Sequence, residues 1–332
     1  MDRQAFLKLV ADGRCGGVYL LEGVEEHLKE EALRALRRAL LPEDMAEMNE
    51  TVLENPPTAA LIAAAETLPF LAEKRLVVVR EHAGLLRGEA DEKLISYLPR
   101  LPDTTVVVFY HRGKCDARKK LYRAVKACGE VVPFEPMRDA ELNGWICDRV
   151  RALGKSCTPA VAAQIAFTAG SDTAQLCAEI DKLIGYAGSR PSLTEEDVRA
   201  VVTRSLEYNV FTMVDAVVAG NEQRAFALLR DMLLAGQERL GILAMLLRQY
   251  RMLQHIKIMQ YEKRTPQQMQ EALGVKGFVL DRYLRQAKMI SGGQVKRGVQ
   301  VCLETEYAVK AGKLNQDGAL EAAMMALFAM RH

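Results

Sequence analysis

A run of four large apolar residues, Leu76-Val77-Val78-Val79, constrains the fold of this chain most. An unbroken apolar run rich in β-branched side chains suits a central strand that is buried on both faces. Similar apolar runs at 17–23, 104–110 and 130–134 predict further strands, and segments with helical spacing separate them. Strands that alternate with helices are typical of a parallel sheet with helices on both faces. We therefore expect an α/β domain of the nucleotide-binding type at 1–138.

Beyond Pro136 the pattern predicts helices and no convincing strand. Thr158 followed by Pro159 is typical of a helix start, and so is Thr194 with Asp197 three residues later. The chain is rich in alanine and leucine and has 6% aromatic residues, which favours a helical majority. We expect a small helical domain at 139–207 and a helical bundle at 208–332. Within the bundle, 237–264 is apolar on several sides and predicts one long packed helix.

The charge balance excludes binding that depends on overall charge. Lysine and arginine number 45 and aspartate and glutamate 43, so contact with nucleic acid requires a local basic surface. No apolar run is long enough to cross a bilayer, and the charged amino-terminal segment lacks the apolar core of a signal peptide. The seven cysteines are scattered without a CxxC pair, which indicates reduced thiols. We expect a cytoplasmic protein with neither a metal nor another cofactor.

The segment 23–30 lies where a phosphate-binding P-loop would follow the first strand. Gly23 and Lys29 match the motif, but Leu28 replaces its second glycine and Glu30 replaces the hydroxyl that holds Mg²⁺. Two further glutamates put negative charge where phosphates would lie. One interpretation is an ordinary amphipathic helix with a solvated Lys29, and the other is an ATPase that has lost part of its motif. The chain has no HExxH or GxSxG motif and its five histidines are isolated, so we predict no catalytic residue.

A basic segment follows the strand at 104–110 and leads into a helix predicted at 118–128. Its six cations are Arg112, Lys114, Arg118, Lys119, Lys120 and Arg123. Ligands of open α/β sheets bind beyond the carboxyl ends of the strands, so these cations are candidates to contact DNA phosphates or the acidic face of a partner. A solvated helix start is the alternative, and the residues leave both open.

The segment Leu68-Pro69-Phe70-Leu71 precedes the strand at 76–79 and interrupts the helix predicted before it. Proline lacks an amide hydrogen and biases the residue before it away from the helical backbone. A helix that ends near Thr67 is then followed by a turn with three large apolar side chains. Exposed, these side chains would form an apolar surface for a partner. Folded back, they would belong to the local core.

Six segments of this chain resemble the delta subunits of bacterial DNA polymerase III clamp loaders in their order and spacing. They are VYLLEG, LPFLAEKRLVVV, DARKKLYRAVKACGEVVPFEP, GSDTAQLCAEIDKLIGYAG, NVFTMVDAVVAGNEQRAFALLRDMLLAGQE and KAGKLNQDGALEAAMMAL. The resemblance spans the whole chain. It implies a relative of the AAA+ proteins that does not hydrolyse ATP, with an AAA+-like α/β domain, a small helical lid domain and a C-terminal helical collar domain.

The resemblance also implies a function in DNA replication. Delta subunits of this family bind and open the beta sliding clamp for loading onto primer-template DNA. They assemble with delta-prime and the tau/gamma ATPase subunits as part of the polymerase holoenzyme, a nucleotidyltransferase. The family's clamp-binding element maps onto Phe70 and Leu71, with Leu68 assisting. Where many clamp-binding peptides carry glutamine, this chain has Glu66, a departure that affects one polar contact. The degenerate P-loop fits a subunit that leaves ATP hydrolysis to its partners.

Overall fold

A computed structural model describes residues 1–86, 91–137, 139–275 and 277–329, with the side chains of 139, 277 and 278 outside the description. The chain forms two compact units, Met1–Met137 and Arg138–His332. We call them unit 1 and unit 2. The division of the helical part into domains at 139–207 and 208–332 stays a prediction.

Unit 1 contains the predicted parallel sheet, which has five strands in the order β2-β3-β4-β1-β5. The strands are β1 (Gly17–Glu22), β2 (Glu50–Glu54), β3 (Arg75–Arg80), β4 (Thr105–Tyr110) and β5 (Glu130–Pro133). Sequence reasoning missed β2, because this edge strand is only partly buried and its sequence ETVLE has no apolar run. The central strands β3 and β4 are almost wholly buried, as their apolar runs predict.

Helices cover both faces of this sheet. They are α1 (Arg3–Ala11), α2 (Glu26–Leu40), α3 (Ala46–Asn49), α4 (Thr58–Glu66), α5 (Glu92–Tyr97) and α6 (Lys120–Cys128). Short 3-10 helices lie at Glu43–Met45, Ala83–Leu85 and Leu98–Arg100. Alternate strand residues such as Val77 and Val107 share one core with α4, α5 and α6. On the opposite face, Phe6 of α1 packs edge-on against Tyr19 of β1 at 5.2 Å between ring centroids.

Parallel pairing gives the sheet two chemically different edges. Arg75 pairs with Thr105 and Arg80 with Tyr110, so β3 and β4 begin at one edge and end at the other. The turn between α4 and β3 lies at the amino edge. The loop after β1 and the basic segment after β4 lie at the carboxyl edge. Since a six-residue strand spans about 20 Å, the two edges are separated by roughly that distance.

Unit 2 is helical, and its described residues form no strand beyond an isolated bridge between Ser156 and Ser192. Its helices are α7 (Asp139–Ala152), α8 (Pro159–Ala169), α9 (Thr173–Ala187), α10 (Glu195–Val201), α11 (Leu206–Ala219), α12 (Glu222–Leu234), α13 (Arg239–Tyr261), α14 (Pro266–Leu273), α15 (Gly277–Met289), α16 (Gly292–Lys310) and α17 (Gln316–Ala329). The cap at Thr158 and the capping box of Thr194 and Asp197 are confirmed. None of the helices that the structure describes has the length and apolar composition needed to cross a lipid bilayer.

The core of unit 2 depends on a close approach between α13 and α16. Tyr250 of α13 is fully buried, and its ring packs against Gly298 of α16. A Cβ atom on Gly298 would lie 2.4 Å from two carbon atoms of that ring. A glycine in mid-helix is otherwise unfavourable, so its position here follows from the space that the tyrosine ring takes.

We expect Gly298→Ala to destabilise unit 2, although alanine is the better helix former. Overpacking of a filled core costs about 1–3 kcal/mol, which outweighs the roughly 1 kcal/mol gained from helix propensity. The matched control is Gly144→Ala in α7, where a new Cβ would meet nothing within 4 Å. Thermal unfolding should show a lower Tm for Gly298→Ala and an equal or higher Tm for Gly144→Ala. A stabilised Gly298→Ala variant would contradict the packing described here.

Candidate functional site

The turn between α4 and β3 carries three exposed apolar side chains. Leu68, Phe70 and Leu71 are 76%, 52% and 73% exposed. The helical backbone ends at Glu66, two residues before the Leu68-Pro69 pair, as expected for a proline that cannot continue a helix. Phe70 and Leu71 do not fold back into the local core, so that interpretation is wrong. We call the three side chains the apolar plug.

A buried asparagine holds the main chain of the plug. Asn49, the last residue of α3, is 0% exposed. Its Oδ1 accepts a hydrogen bond from the Phe70 amide at 2.6 Å, and its Nδ2 donates to the Phe70 carbonyl at 2.8 Å. The same Nδ2 donates to the Met45 carbonyl at 2.9 Å. One side chain therefore satisfies both polar groups of the Phe70 main chain.

A second buried polar residue, Arg75, fixes the chain where the turn enters β3. Its Nε donates to the Ala64 carbonyl at 3.2 Å and its Nη1 to the Met48 carbonyl at 3.2 Å. Its Nη2 donates to the Thr51 hydroxyl at 2.7 Å. The guanidinium thus ties β3 to α4, α3 and β2 together. Sequence reasoning missed Asn49 and Arg75, because the contacts that fix the turn join residues 11 to 27 positions apart and follow no local spacing.

The degenerate P-loop, at the opposite edge of the sheet, uses its amides within the protein. The Gly23 amide donates to the Gly113 carbonyl at 2.8 Å, and the Glu25 amide donates to the Phe134 carbonyl at 3.1 Å. Gly23 has a φ of +118°, and a Cβ there would lie 2.2 Å from the Phe134 oxygen. Gly23 is therefore required by a close main-chain contact, whereas in a P-loop such amides are left free for phosphates.

Lys29 is buried, so the interpretation with a solvated Lys29 is wrong. Its side chain is 0% exposed, and its Nζ donates to Glu26 Oε1 and to the His111 carbonyl, both at 2.6 Å. The ammonium also lies over the Tyr110 ring, 4.7 Å from its centroid. The charge that would reach a bound phosphate in an ATPase is here neutralised by Glu26, which lies one turn earlier in the same helix.

The side chains around Lys29 complete a closed polar network. Arg80 lies 4.5 Å from the Tyr110 ring centroid and pairs with Glu30 at 2.9 Å. The Tyr110 hydroxyl donates to Glu26 Oε2 at 3.0 Å. Burial raises the pKa of Tyr110, and its hydrogen bond to Glu26 raises it further. Arg80 thus holds Glu30, which stands where a P-loop has its Mg²⁺-binding hydroxyl. Leu28, which stands where a P-loop has its second glycine, is buried.

The basic segment is partly neutralised by its own carboxylates. Arg118 donates two hydrogen bonds of 3.0 Å to Asp116 and lowers the pKa of that carboxyl to about 2. Lys120 pairs with Glu92. Within the described part of the chain, Lys114 and Arg123 form no ion pair.

The helix that follows the basic segment begins at Lys120, two residues later than predicted. Arg118 and Lys119 therefore precede α6 and lie outside its first turn. Arg112 lies near the P-loop glutamate Glu26 at 3.9 Å. The structure places the basic segment beside the degenerate P-loop and away from the apolar plug, which lies at the other edge of the sheet.

Comparisons with known proteins agree along most of the chain. Residues 19–135 match the family described as DNA polymerase III, delta subunit, and residues 207–327 match its C-terminal domain. The DNA polymerase III subunit delta of Bacillus subtilis (strain 168) is 26% identical over 330 residues, which is 96% of this chain and 95% of the relative. A solved DNA clamp loader delta protein of Bacillus subtilis is 25% identical, with a TM-score of 0.62 over 98% of this chain and 99% of that one.

We expect Lys29→Met to destabilise unit 1, because it leaves the buried His111 carbonyl and one Glu26 oxygen without a donor. The free energy of unfolding should fall by about 2 kcal/mol, since an unsatisfied buried polar group costs about 1–3 kcal/mol. Urea unfolding of the full chain, followed by circular dichroism, measures this. The control Lys126→Met changes an exposed lysine and should stay within about 0.5 kcal/mol of the unchanged chain.

Unchanged stability of Lys29→Met would contradict a structural role for this lysine. Nucleotide binding that disappears in the same variant would instead favour a working P-loop.

Proposed function

Because this chain belongs to the family of DNA polymerase III delta subunits, we propose that it binds and opens the beta sliding clamp without hydrolysing ATP itself. As a clamp-loader subunit with an AAA+-like parallel sheet, it would hold one interface of the ring-shaped clamp open while the ring is loaded onto primed DNA. This proposal gives unit 1 the clamp contact and assigns assembly to the helical bundle at 208–332.

The observation that carries this proposal is the exposure of Phe70 and Leu71 on a turn whose main chain is fixed. Burying two such side chains in a pocket of the clamp would contribute about 3–5 kcal/mol before the cost of association. Few interface residues usually supply most of the binding energy, and apolar anchors in pockets are typical of them. Leu68, the most exposed of the three, would assist at the rim.

The closed network around Lys29 supports a subunit that takes no part in ATP hydrolysis. Glu26 pairs with Lys29, the lysine at the P-loop position, and Glu30 pairs with Arg80. We infer that the energy for loading comes from the tau/gamma ATPase subunits, which join this chain and delta-prime in the assembled loader. A titration of the isolated chain with ATP tests this, and micromolar affinity that depends on Lys29 would favour an active ATPase.

We expect the double substitution Phe70→Ala with Leu71→Ala to weaken clamp binding strongly while leaving the fold intact. Both side chains are exposed, so their loss leaves no cavity in the core. Loss of about 3–5 kcal/mol corresponds to roughly a hundredfold to several thousandfold weaker affinity. Surface plasmon resonance with the immobilised clamp measures it. Assembly with the ATPase subunits should persist, because it is assigned to the helical bundle.

The control for this variant is Leu234→Ala with Tyr261→Ala, which removes similarly exposed apolar side chains from unit 2. It should bind the clamp like the unchanged chain. The assignment of the plug to the clamp interface would be contradicted if the plug variant and the unchanged chain had equal clamp affinities and matching circular dichroism spectra.

The basic segment supports a second contact, with DNA phosphates or an acidic partner face, in the assembled loader. We expect Lys114→Ala with Arg123→Ala to reduce the DNA affinity of the complex more at low salt than at high salt. The logarithm of the affinity falls as the logarithm of the salt concentration rises, and two lost phosphate contacts make this fall shallower by about 2. Fluorescence anisotropy with primer-template DNA measures the slope, and Lys8→Ala on α1 is the control. An unchanged slope would contradict the DNA contact and indicate that these cations are only solvated.

A further inference from the structure

The main chain of the apolar plug has little support of its own. Among the described residues, no hydrogen bond between main-chain groups involves residues 68–74. Both polar groups of Phe70 bond instead to Asn49, which lies 21 residues earlier in the chain. The position of the plug therefore depends on a side chain from another element.

We propose that Asn49 is the positioning residue of the clamp-binding turn, an inference that rests on the proposed function. A carboxamide is the side chain that fits this place, because it offers an acceptor and two donor hydrogens within one planar group. Asn49 uses its acceptor on the Phe70 amide and its donors on the carbonyls of Phe70 and Met45. The bond to Met45 would be enough if Asn49 only ended α3, whereas the two bonds to Phe70 reach the turn.

The hydrogen bonds from Asn49 lie next to an unusual backbone conformation at Leu71. Its φ is +50°, in the left-handed region that a leucine rarely adopts. Such a backbone persists only where surrounding contacts fix it, and the peptide group held by Asn49 directly precedes it. The anchored Phe70 carbonyl and the left-handed Leu71 together turn the two side chains outward. The turn is thereby ordered before a partner arrives, which reduces the entropy lost on binding.

The test is Asn49→Asp, which keeps the shape and the acceptor but replaces both donor hydrogens with a carboxylate oxygen facing two carbonyls. At pH 7.5 we expect the clamp affinity to fall by about tenfold to a hundredfold, the range for an unsatisfied buried group. Burial and the carbonyls raise the pKa of such a carboxyl, and its protonated form is again a donor. The affinity relative to the unchanged chain should therefore recover in part at pH 5.5.

A matched control and a second readout separate positioning from stability and from clamp recognition. Asn221→Asp makes the same change where the side chain accepts from the Arg224 amide, a bond that aspartate retains. Chymotrypsin cleavage after Phe70 or Leu71 reports the order of the turn without any partner. We expect faster cleavage in Asn49→Asp and no change in Asn221→Asp.

The outcomes distinguish this inference from the proposed function. If the Phe70 and Leu71 double variant loses clamp binding while Asn49→Asp keeps both its affinity and its resistance to chymotrypsin, the positioning role alone is overturned. If the double variant still binds, the clamp contact itself is overturned, whatever Asn49 does to cleavage.

Hydrogen exchange of the unchanged chain gives a test that needs no variant to fold. The Phe70 amide donates to a fully buried acceptor although its side chain is half exposed. We expect it to exchange at least about a hundredfold more slowly than the Leu71 amide, as buried hydrogen-bonded amides do. Equal exchange rates of the two amides would overturn the inference.

Discussion

Parallel pairing of β3 with β4, and of β4 with β1, determines where the apolar plug, the degenerate P-loop and the basic segment of unit 1 lie. The pairing brings all strand starts to one edge and all strand ends to the other. Because these strands are buried on both faces, a one-residue slip of register would move every side chain to the opposite face and disrupt the packing of both. The sheet therefore separates two surfaces with different chemistry and holds them at a constant distance.

The two edges use buried polar groups in different ways. At the carboxyl edge, Lys29 is bonded within the protein by Glu26 and the His111 carbonyl, so the polar groups there are directed inward. At the amino edge, Asn49 bonds to the main chain of Phe70 and Arg75 bonds mostly to main-chain carbonyls, while the apolar side chains of the turn stay exposed. Hydrogen bonds within the protein thus occupy the polar groups of the degenerate P-loop, whereas anchoring of the main chain leaves the apolar plug available to a partner.

Patterns that depend on neighbouring residues could be predicted from the sequence, and contacts between distant residues could not. The buried strands, the long helix α13 and the capping box at Thr194 follow from apolar runs and short spacings. The edge strand β2 has no apolar run, so it was missed. Motif matching located Lys29 but could not show its burial, because its partners His111 and Tyr110 follow some 80 residues later. Asn49 carries no local signal at all.

The hydrogen bonds around Lys29 and Gly23 separate the sequence motif of a P-loop from the groups that would use it. Changing Leu28 to glycine and Glu30 to threonine would restore the motif in the sequence, yet Lys29 would still be bonded to Glu26, and the Gly23 and Glu25 amides to carbonyls. The first change would remove a buried apolar side chain and the second the ion-pair partner of Arg80. A chain that regained the motif letters alone would therefore keep the groups that contact phosphates in a P-loop bonded within the protein.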